Sequence, residues 1–172
     1  SSGRGCRTPA RSVETPSAGD LGEDEGRELN DEQRSRLSRL VGTSLGFRIE
    51  PLEYGTKLLE YGYVRLVFPG GRTTVCPQES GGLPWSWPNF VGDLAVAWAY
   101  IVPAATTRGW IVTTLAWLRD EDKTTWMIAE IRSEETDGPE GIGSGLVTDA
   151  AECLCRAWLA ANGIEVGEED HD

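Results

Sequence analysis

The hydrophobic positions of residues 90–102 follow the period of an amphipathic helix. Successive members of its apolar face are three or four residues apart: Val91, Leu94, Trp98 and Ile101. Asn89 stands at the N-cap position, and Pro103 lacks the backbone N–H that a further turn needs. The pattern therefore predicts a helix that begins after Asn89 and ends near Val102.

Two more helices are predicted on either side of this one. The stronger pattern covers residues 147–162, with Cys155 on or beside the apolar face. That face consists of Val147, Ala151, Leu154, Trp158 and Ala161. Near the start of the chain, Asn30 and Gln33 form a capping-box pattern, which predicts a short helix before Gly42.

Alternating patterns predict two β-hairpins. In the first, residues 61–68 return through residues 73–76 after a Pro-Gly-Gly turn. In the second, residues 109–118 pair with residues 124–132 across a charged loop. Both faces of 109–118 are mostly apolar, so we expect a central strand that is covered on both sides.

The composition changes along the chain and predicts its domain organisation. Residues 1–26 have few apolar side chains to offset the entropy lost on ordering, so we expect them to be disordered. Residues 27–163 are predicted to form a single α+β domain, and residues 164–172 an acidic C-terminal tail. A total of 172 residues agrees with one domain of ordinary size.

The net charge of −12 narrows the possible partners. Such an acidic chain is not expected to bind nucleic acid directly or to lie on a membrane surface. Between Glu134 and the C-terminus there are eleven acidic residues and one basic residue, Arg156, so the acidity is local. The chain has no apolar run long enough to span a bilayer and no signal-peptide pattern, and we expect a soluble, intracellular protein.

The histidine and cysteine content disfavours several kinds of chemistry. The only histidine, His171, lies in the acidic C-terminal segment, so histidine-dependent catalysis is not expected. Cys153 and Cys155 are two positions apart on a predicted helix and point in different directions, and no Cys-x-x-Cys pair exists, so no zinc site is predicted. We predict no catalytic residue, cofactor or metal, and the balance is against an enzyme.

The segment Pro-Trp-Ser-Trp-Pro provides the leading candidate site. Its indoles, Trp85 and Trp87, would project to similar sides of an extended backbone, where they could clasp a partner or stack on a ring. With Asn89 and Asp93 they form the predicted binding cluster. The alternative is that one or both tryptophans belong to the core, and that Asn89 and Asp93 serve the helix terminus.

Three other segments are candidates for ligand binding. Two of them lie in a predicted loop, residues 133–145, and the third lies in the hairpin loop before it. The glycines at 141–145 precede a helix as a phosphate-binding loop would, but their spacing fits neither glycine motif, and Asp149 would repel phosphate. The acidic clusters at 120–122 and 134–140 could hold Mg²⁺ or Ca²⁺, although solvated surface charge is the favoured interpretation.

Parts of the chain resemble the phage ABA-sandwich family, small phage proteins that include NinX-like members. The resemblance lies in residues 88–98 (Pro-Asn-Phe-Val-Gly-Asp-Leu-Ala-Val-Ala-Trp), the hairpin with Trp110 and Trp126, and residues 150–159 (Ala-Ala-Glu-Cys-Leu-Cys-Arg-Ala-Trp-Leu). It covers residues 85–163. It implies a layered α/β/α sandwich with a mainly antiparallel sheet and a phage or prophage origin, and it implies no reaction.

These observations favour a small phage-encoded accessory protein in the host cytoplasm. It would act by binding a host or phage protein with a basic surface, one concerned with defence or DNA transactions. In a variant of this hypothesis, the acidic third mimics nucleic acid and occupies a basic groove. The alternatives are a small-ligand or nucleotide-binding protein or enzyme with a pocket near Trp85 and Trp87, and a minor structural protein of the virion. The sequence leaves the oligomeric state open.

Overall fold

The computed structural model describes residues 29–79, 82–136 and 138–166, and within them it has helices and two antiparallel sheets. The helices are α1 (Asp31–Leu45), α2 (Lys57–Glu60), α3 (Leu94–Thr107) and α4 (Ala150–Ala161), the last preceded by a 3₁₀ turn, Val147–Asp149. The first sheet is β1 (Arg48–Glu50), β2 (Tyr63–Val67) and β3 (Thr73–Pro77), in that order. The second is β4 (Trp110–Arg119), β5 (Thr124–Ser133) and β6 (Pro139–Leu146), with β5 in the middle. The predicted α+β class is confirmed.

Helix α1 begins with the predicted capping box. The Asn30 side chain accepts a hydrogen bond from the Gln33 backbone N–H at 2.8 Å, and the Gln33 side chain accepts one from the Asn30 N–H at 3.0 Å. The helix continues past Gly42 and ends at Gly46, whose φ of 107° suits glycine. Gly42 lies against the Trp87 ring, with which any larger side chain would collide. This close approach explains a glycine inside the helix.

The first sheet contains the predicted hairpin, in which β2 and β3 pair, and β1 adds a third strand. An aromatic cluster connects this sheet to the helices. Phe47, just before β1, has its ring centre 5.3–5.6 Å from those of four neighbours: Phe68, Trp87, Phe90 and Tyr100. Since Tyr100 belongs to α3, Phe47 joins the first sheet to the helical core.

Helix α3 differs from its prediction at both ends. The residue that caps it is Asp93 and not Asn89, and it continues through Pro103 to Thr107. A proline inside a helix removes the donor for the carbonyl four residues earlier, here that of Ala99. Ala99 and Pro103 both face solvent, so water can take the place of the missing donor.

The buried side of α3 is also rotated relative to the prediction. Ala97, Ile101 and Ala105 form the buried stripe, whereas Leu94 and Trp98 are each 41% exposed. Small side chains on the buried stripe let α3 approach α4 and the second sheet closely. The larger apolar residues are left at the surface.

The second hairpin is confirmed, but the predicted position of its first strand in the sheet is wrong. The ladder between β4 and β5 runs from Trp110 opposite Ser133 to Arg119 opposite Thr124. Residues 139–146, predicted as part of a loop, form β6 and occupy the other side of β5. Strand β4 is therefore an edge strand and not a covered central strand.

Helix α4 packs with its backbone directly on the glycines of β6. A methyl group at Gly141 would collide with the Ala157 carbonyl, and one at Gly143 with the Cys153 carbonyl. The same helix lies on the side chains of β5 that point towards it, Met127, Ala129 and Ile131, which are all buried. It also reaches α1, where the Trp158 indole N–H donates to the Ser44 hydroxyl at 2.7 Å.

Both α3 and α4 lie on one face of the second sheet. The second helical layer that the α/β/α sandwich implies for the other face is not found among the described residues. One buried cluster extends from Leu37 to Leu159, and Ile164 and Val166 pack against it. Most of the predicted disordered and acidic tails lie outside the described residues. Within the described ranges, no helix combines the length and the apolar character needed to cross a bilayer.

Candidate functional site

The two tryptophans of the predicted binding cluster lie in different environments. Trp87 is buried, packs against Phe47, and donates its indole N–H to the Ser38 carbonyl at 3.1 Å. Trp85 is 70% exposed. The backbone at 84–87 turns rather than extends, so the rings do not project to the same side. The geometry expected of a two-indole clasp is therefore absent, and Trp87 has a core role.

Asn89 and Asp93 both bond to the backbone next to α3. The Asn89 side chain accepts a hydrogen bond from the Gly92 N–H at 3.1 Å. The Asp93 side chain accepts from the Ala95 N–H at 3.0 Å and from the Val96 N–H at 3.4 Å. These contacts are those of a turn and a helix cap.

A small cleft lies beside this cluster. Trp87 and Asn89 border it from one side and Ser35 and Ser38 of α1 from the other, and its volume is about 180 Å³. Pockets for drug-sized ligands are larger, about 300–1,000 Å³. A neighbouring shallow cleft of about 390 Å³ lies at the starts of α3 and α4, and Asp149 in its wall opposes an anion.

The other predicted ligand sites have structural explanations as well. The glycines of 141–145 lie in β6 under α4, not in a loop that could surround a phosphate. In the acidic loop at 120–122, the Asp122 carboxylate pairs with Arg119 at 2.7 Å and accepts hydrogen bonds from Thr124. These bonds hold the pKa of Asp122 well below its ordinary value. In the described part of the chain, no three His, Cys, Asp or Glu side chains come together as metal ligands would.

The described cysteines Cys76, Cys153 and Cys155 are buried thiols that form no disulfide with one another. The Cys155 Sγ lies 3.4 Å from the Phe90 carbonyl oxygen, to which it donates. Burial in the core raises the pKa of the Cys155 thiol far above its ordinary value. Since the thiolate is the reactive form, this cysteine acts as a core side chain.

The most unusual surface of the molecule is the face of the second sheet that points away from the helices. We call it the open face and define it by six apolar side chains: Ile111, Leu115 and Trp117 of β4, Trp126 and Ile128 of β5, and Ile142 of β6. Four of them are between 43% and 65% exposed, namely Ile111, Leu115, Trp117 and Ile142. Single exposed apolar residues are common, but a contiguous group on one sheet is typical of an interaction site.

The charges on the open face are paired within the chain. The Arg119 guanidinium stacks on the Trp126 ring, 4.5 Å from its centre, and also bonds to Asp122. On the neighbouring strand, Arg132 pairs with Glu130 at 2.8 Å. Glu130 lies on the central strand opposite Ile142, and Arg132 opposite Ile111, so this ion pair is part of the open face among its apolar side chains. The acidic loops lie beyond the two ends of β5.

Sequence reasoning missed the open face although its signal was visible. The alternation in residues 110–118 gives apolar residues on both sides of the strand. This pattern predicts a strand that is buried on both sides. It is equally the pattern of an edge strand with one uncovered apolar face.

Comparisons with known proteins leave this surface as the main guide to function. The chain matches no protein-family model, no curated protein and no solved structure. The resemblance to the phage ABA-sandwich family, and the phage origin that it implies, therefore stay predictions.

Proposed function

We propose that this protein is a non-enzymatic binding module that contacts another protein through its open face. The observation that carries the proposal is the exposure of Ile111, Leu115, Trp117 and Ile142 on one ladder-paired sheet. A partner that covers them removes apolar surface from water, which is favourable by about 25 cal/mol for each Å² buried. The rigid backbone ladder keeps the side chains in place, so little order is lost on binding.

The charges around the open face indicate the chemistry of the partner surface. Asp120 and Glu121 lie in the loop at one end of β5, and Glu134 and Glu135 follow its other end. A strand of ten residues is about 34 Å long, so the two acidic loops flank the apolar face at a distance. A complementary partner has apolar residues that fit the open face and basic residues on either side. A host or phage protein with a basic surface, which the sequence led us to expect, would meet this description.

This arrangement separates apolar docking from nucleic-acid mimicry. If the acidic loops only steer the encounter, salt slows association and weakens the complex modestly, because the apolar contact persists. Mimicry of nucleic acid would give a complex that salt weakens steeply. We favour apolar docking because the centre of the face carries no unpaired charge.

The test compares two substitutions of equally exposed apolar residues. Ile142 on the open face and Leu58 on α2 are both 43% exposed. Tagged wild-type, Ile142→Lys and Leu58→Lys chains are used to capture proteins from a lysate of the source organism, with quantitative mass spectrometry at low and high salt. We expect stoichiometric proteins that Leu58→Lys retains and Ile142→Lys loses by tenfold or more, since a charge buried in an apolar contact is costly.

Two outcomes would count against the proposal. If Ile142→Lys retains every protein that wild-type captures, the open face is not the contact surface. If Leu58→Lys loses the same proteins as Ile142→Lys, the loss reflects general damage rather than a site. Circular dichroism and thermal unfolding of both variants distinguish the second outcome from misfolding.

A further inference from the structure

Strand β4 has a free edge, which means that the backbone N–H and C=O groups on one of its sides are not paired with another described strand. Strand β4 is ten residues long and pairs only with β5, so one side of its backbone has no strand partner among the described residues. Natural edge strands are protected by charges, prolines, bulges or short length. Residues 110–118 include no charged residue and no proline that could protect the edge in this way. Leu118, on the helix side of the sheet, is 56% exposed.

We propose that two copies of this chain pair antiparallel through their β4 edges and form a continuous six-stranded sheet. A two-fold axis through the sheet keeps the helices of both copies on the same side. Such an axis requires that each β4 residue on the helix side of one copy pairs with a β4 residue on the helix side of the other. The register centred on Thr114 satisfies this requirement and places Ile111 opposite the second copy's Trp117, and Trp110 opposite its Leu118. Cross-strand pairs of aromatic with β-branched or aliphatic residues stabilise antiparallel sheets.

The same register brings opposite charges together just beyond the strand ends. Arg108 precedes β4 by two positions and Asp120 follows it by one, so antiparallel pairing brings Arg108 of each copy to the strand end at which Asp120 of the other follows. Gly109, with a φ of 74°, turns the backbone between Arg108 and β4, so the two charges are neighbours at this end of the edge and not a ladder pair. Both residues are exposed. Arg108 is held in place by stacking over Trp110 and Trp158, 5.2 and 4.9 Å from the ring centres, and by a hydrogen bond to Asn162. Symmetry gives two such pairs per dimer.

This charge pairing favours a second copy as the occupant of the edge. A chain with a net charge of −12 repels itself over most of its surface, and the β4 edge offers a basic and an acidic group in self-complementary positions. The alternative register, centred on Leu115, places Asp120 opposite Trp110 and Arg119 opposite Ile111. It moves Arg108 and Asp120 of the two copies apart by two residues and loses the Ile111–Trp117 contact.

The length of the edge is sufficient for a stable interface. Two paired strands of ten residues make a contact about 34 Å long. At a width of roughly 15 Å this buries on the order of 500 Å² per copy, which reaches the ~1,000 Å² in total expected of a specific interface. The exposed parts of Leu115, Trp117 and Leu118 contribute apolar area to it.

This inference goes beyond the proposed function, because it concerns the backbone edge of β4, although Ile111, Leu115 and Trp117 of that strand also belong to the open face. Pairing at the edges joins two open faces side by side and leaves Trp126, Ile128 and Ile142 of each copy accessible. Ile142 lies on β6, two strands away from the paired edge. Ile142→Lys is therefore expected to keep the dimer, and a variant that dissociates the dimer is expected to keep partner contact at each face, so either idea can fail alone.

The test is a charge exchange on the full-length protein, measured by sedimentation equilibrium over a range of concentrations. We expect wild-type to be a dimer of the 18.7 kDa chain. Asp120→Arg and Arg108→Glu should each weaken the dimer about tenfold, and the double variant should recover to within about threefold of wild-type. Glu135→Arg, the same charge change in another loop, is the control and should not weaken it. Asp120→Arg changes the net charge from −12 to −10, so a general charge effect would weaken the self-repulsion and strengthen the dimer instead.

A second measurement covers the case in which Arg108→Glu does not fold, since that arginine stacks on two rings. Hydrogen exchange of the β4 amides is followed in wild-type and Asp120→Arg over a range of concentrations. We expect the amides on the free edge to be protected at concentrations where the chain is a dimer and to lose this protection where dilution dissociates it, which happens at a higher concentration for Asp120→Arg. A wild-type chain that stays monomeric at about 100 µM overturns the proposal. So does a dimer that neither single reversal weakens.

Discussion

The α carbon of Gly143 in β6 lies against the backbone carbonyl of Cys153 in α4, without room for a methyl group between them. We expect Gly143→Ala to lower the free energy of unfolding by about 2–4 kcal/mol, because the helix or the strand must move. Gly138, with no atom near its would-be Cβ, provides the control, and Gly138→Ala should change stability by less than about 0.5 kcal/mol. Urea unfolding measures both. Equal effects would contradict the backbone contact.

Trp87 and Trp85 should respond differently to the same substitution. Trp87→Phe removes the hydrogen bond to the Ser38 carbonyl and leaves a space beside Gly42, so we expect a loss of about 2–3 kcal/mol. Trp85→Phe should cost less than about 0.5 kcal/mol, since that ring is exposed. Thermal unfolding gives the stabilities. Because the chain has seven tryptophans, acrylamide quenching is compared between wild-type and each variant: Trp85→Phe should remove a quenchable component of the fluorescence, and Trp87→Phe should not. Equal losses of quenchable fluorescence in the two variants would place Trp87 outside the core.

Asp122 should contribute a pH-dependent part of stability. Hydrogen bonds from Arg119 and Thr124 lower its pKa in the folded state relative to the ordinary value of 3.8. A group with a lowered pKa stabilises the fold above its unfolded pKa, and this contribution is lost as the pH falls through the folded pKa. The difference in Tm between wild-type and Asp122→Asn should therefore be larger at about pH 6 than at about pH 2.

The control for Asp122 is Glu121→Gln in the same loop. We expect the smaller effect there, because Asp122, and not Glu121, makes the 2.7 Å contact with the Arg119 guanidinium. A Tm difference for Asp122→Asn that is independent of pH would show that the carboxylate does not hold Arg119 and Thr124 as described.

The buried thiols should be inert until the protein unfolds. Burial raises the pKa of Cys155, so almost none of it is thiolate at about pH 8. In a Cys6→Ser background, we expect a disulfide reagent to label Cys76, Cys153 and Cys155 slowly in native protein and rapidly in urea. Rapid labelling of Cys155 under native conditions would contradict its place beside the Phe90 carbonyl.

Features set by neighbours in sequence could be predicted, as α1 and the second hairpin show. The capping box needs only Asn30 and Gln33, which are three positions apart, and the β4–β5 hairpin closes over a short loop. The buried stripe of α3 could not be predicted in the same way. It consists of Ala97, Ile101 and Ala105 because α4 approaches closely there, and a helical period alone does not tell which apolar face has a neighbour.

The candidate site shows the same limit. Trp87 is buried because Gly42, 45 positions earlier, leaves space for its ring, and nothing within the Pro-Trp-Ser-Trp-Pro segment distinguishes it from Trp85. The glycines of β6 were predicted to lie in a loop. They are needed because the backbone of α4 lies directly against them, and this contact becomes visible only in the folded structure. An apolar alternation such as that of β4 does not reveal whether the strand is buried or exposed.

The hydrogen bond between Trp158 and Ser44 joins positions 114 residues apart and has a consequence for synthesis of the chain. At about 5–20 residues per second, α1 leaves the ribosome several seconds or more before α4. The buried residues of β5 emerge roughly 30 residues before α4 is complete, so they have no cover for a few seconds at the end of that interval. Slow codons in the α4 segment would prolong this exposure, and a shortage of chaperones would leave the exposed residues free to aggregate. Either change should lower the yield of folded protein without lowering the stability of the molecules that complete folding.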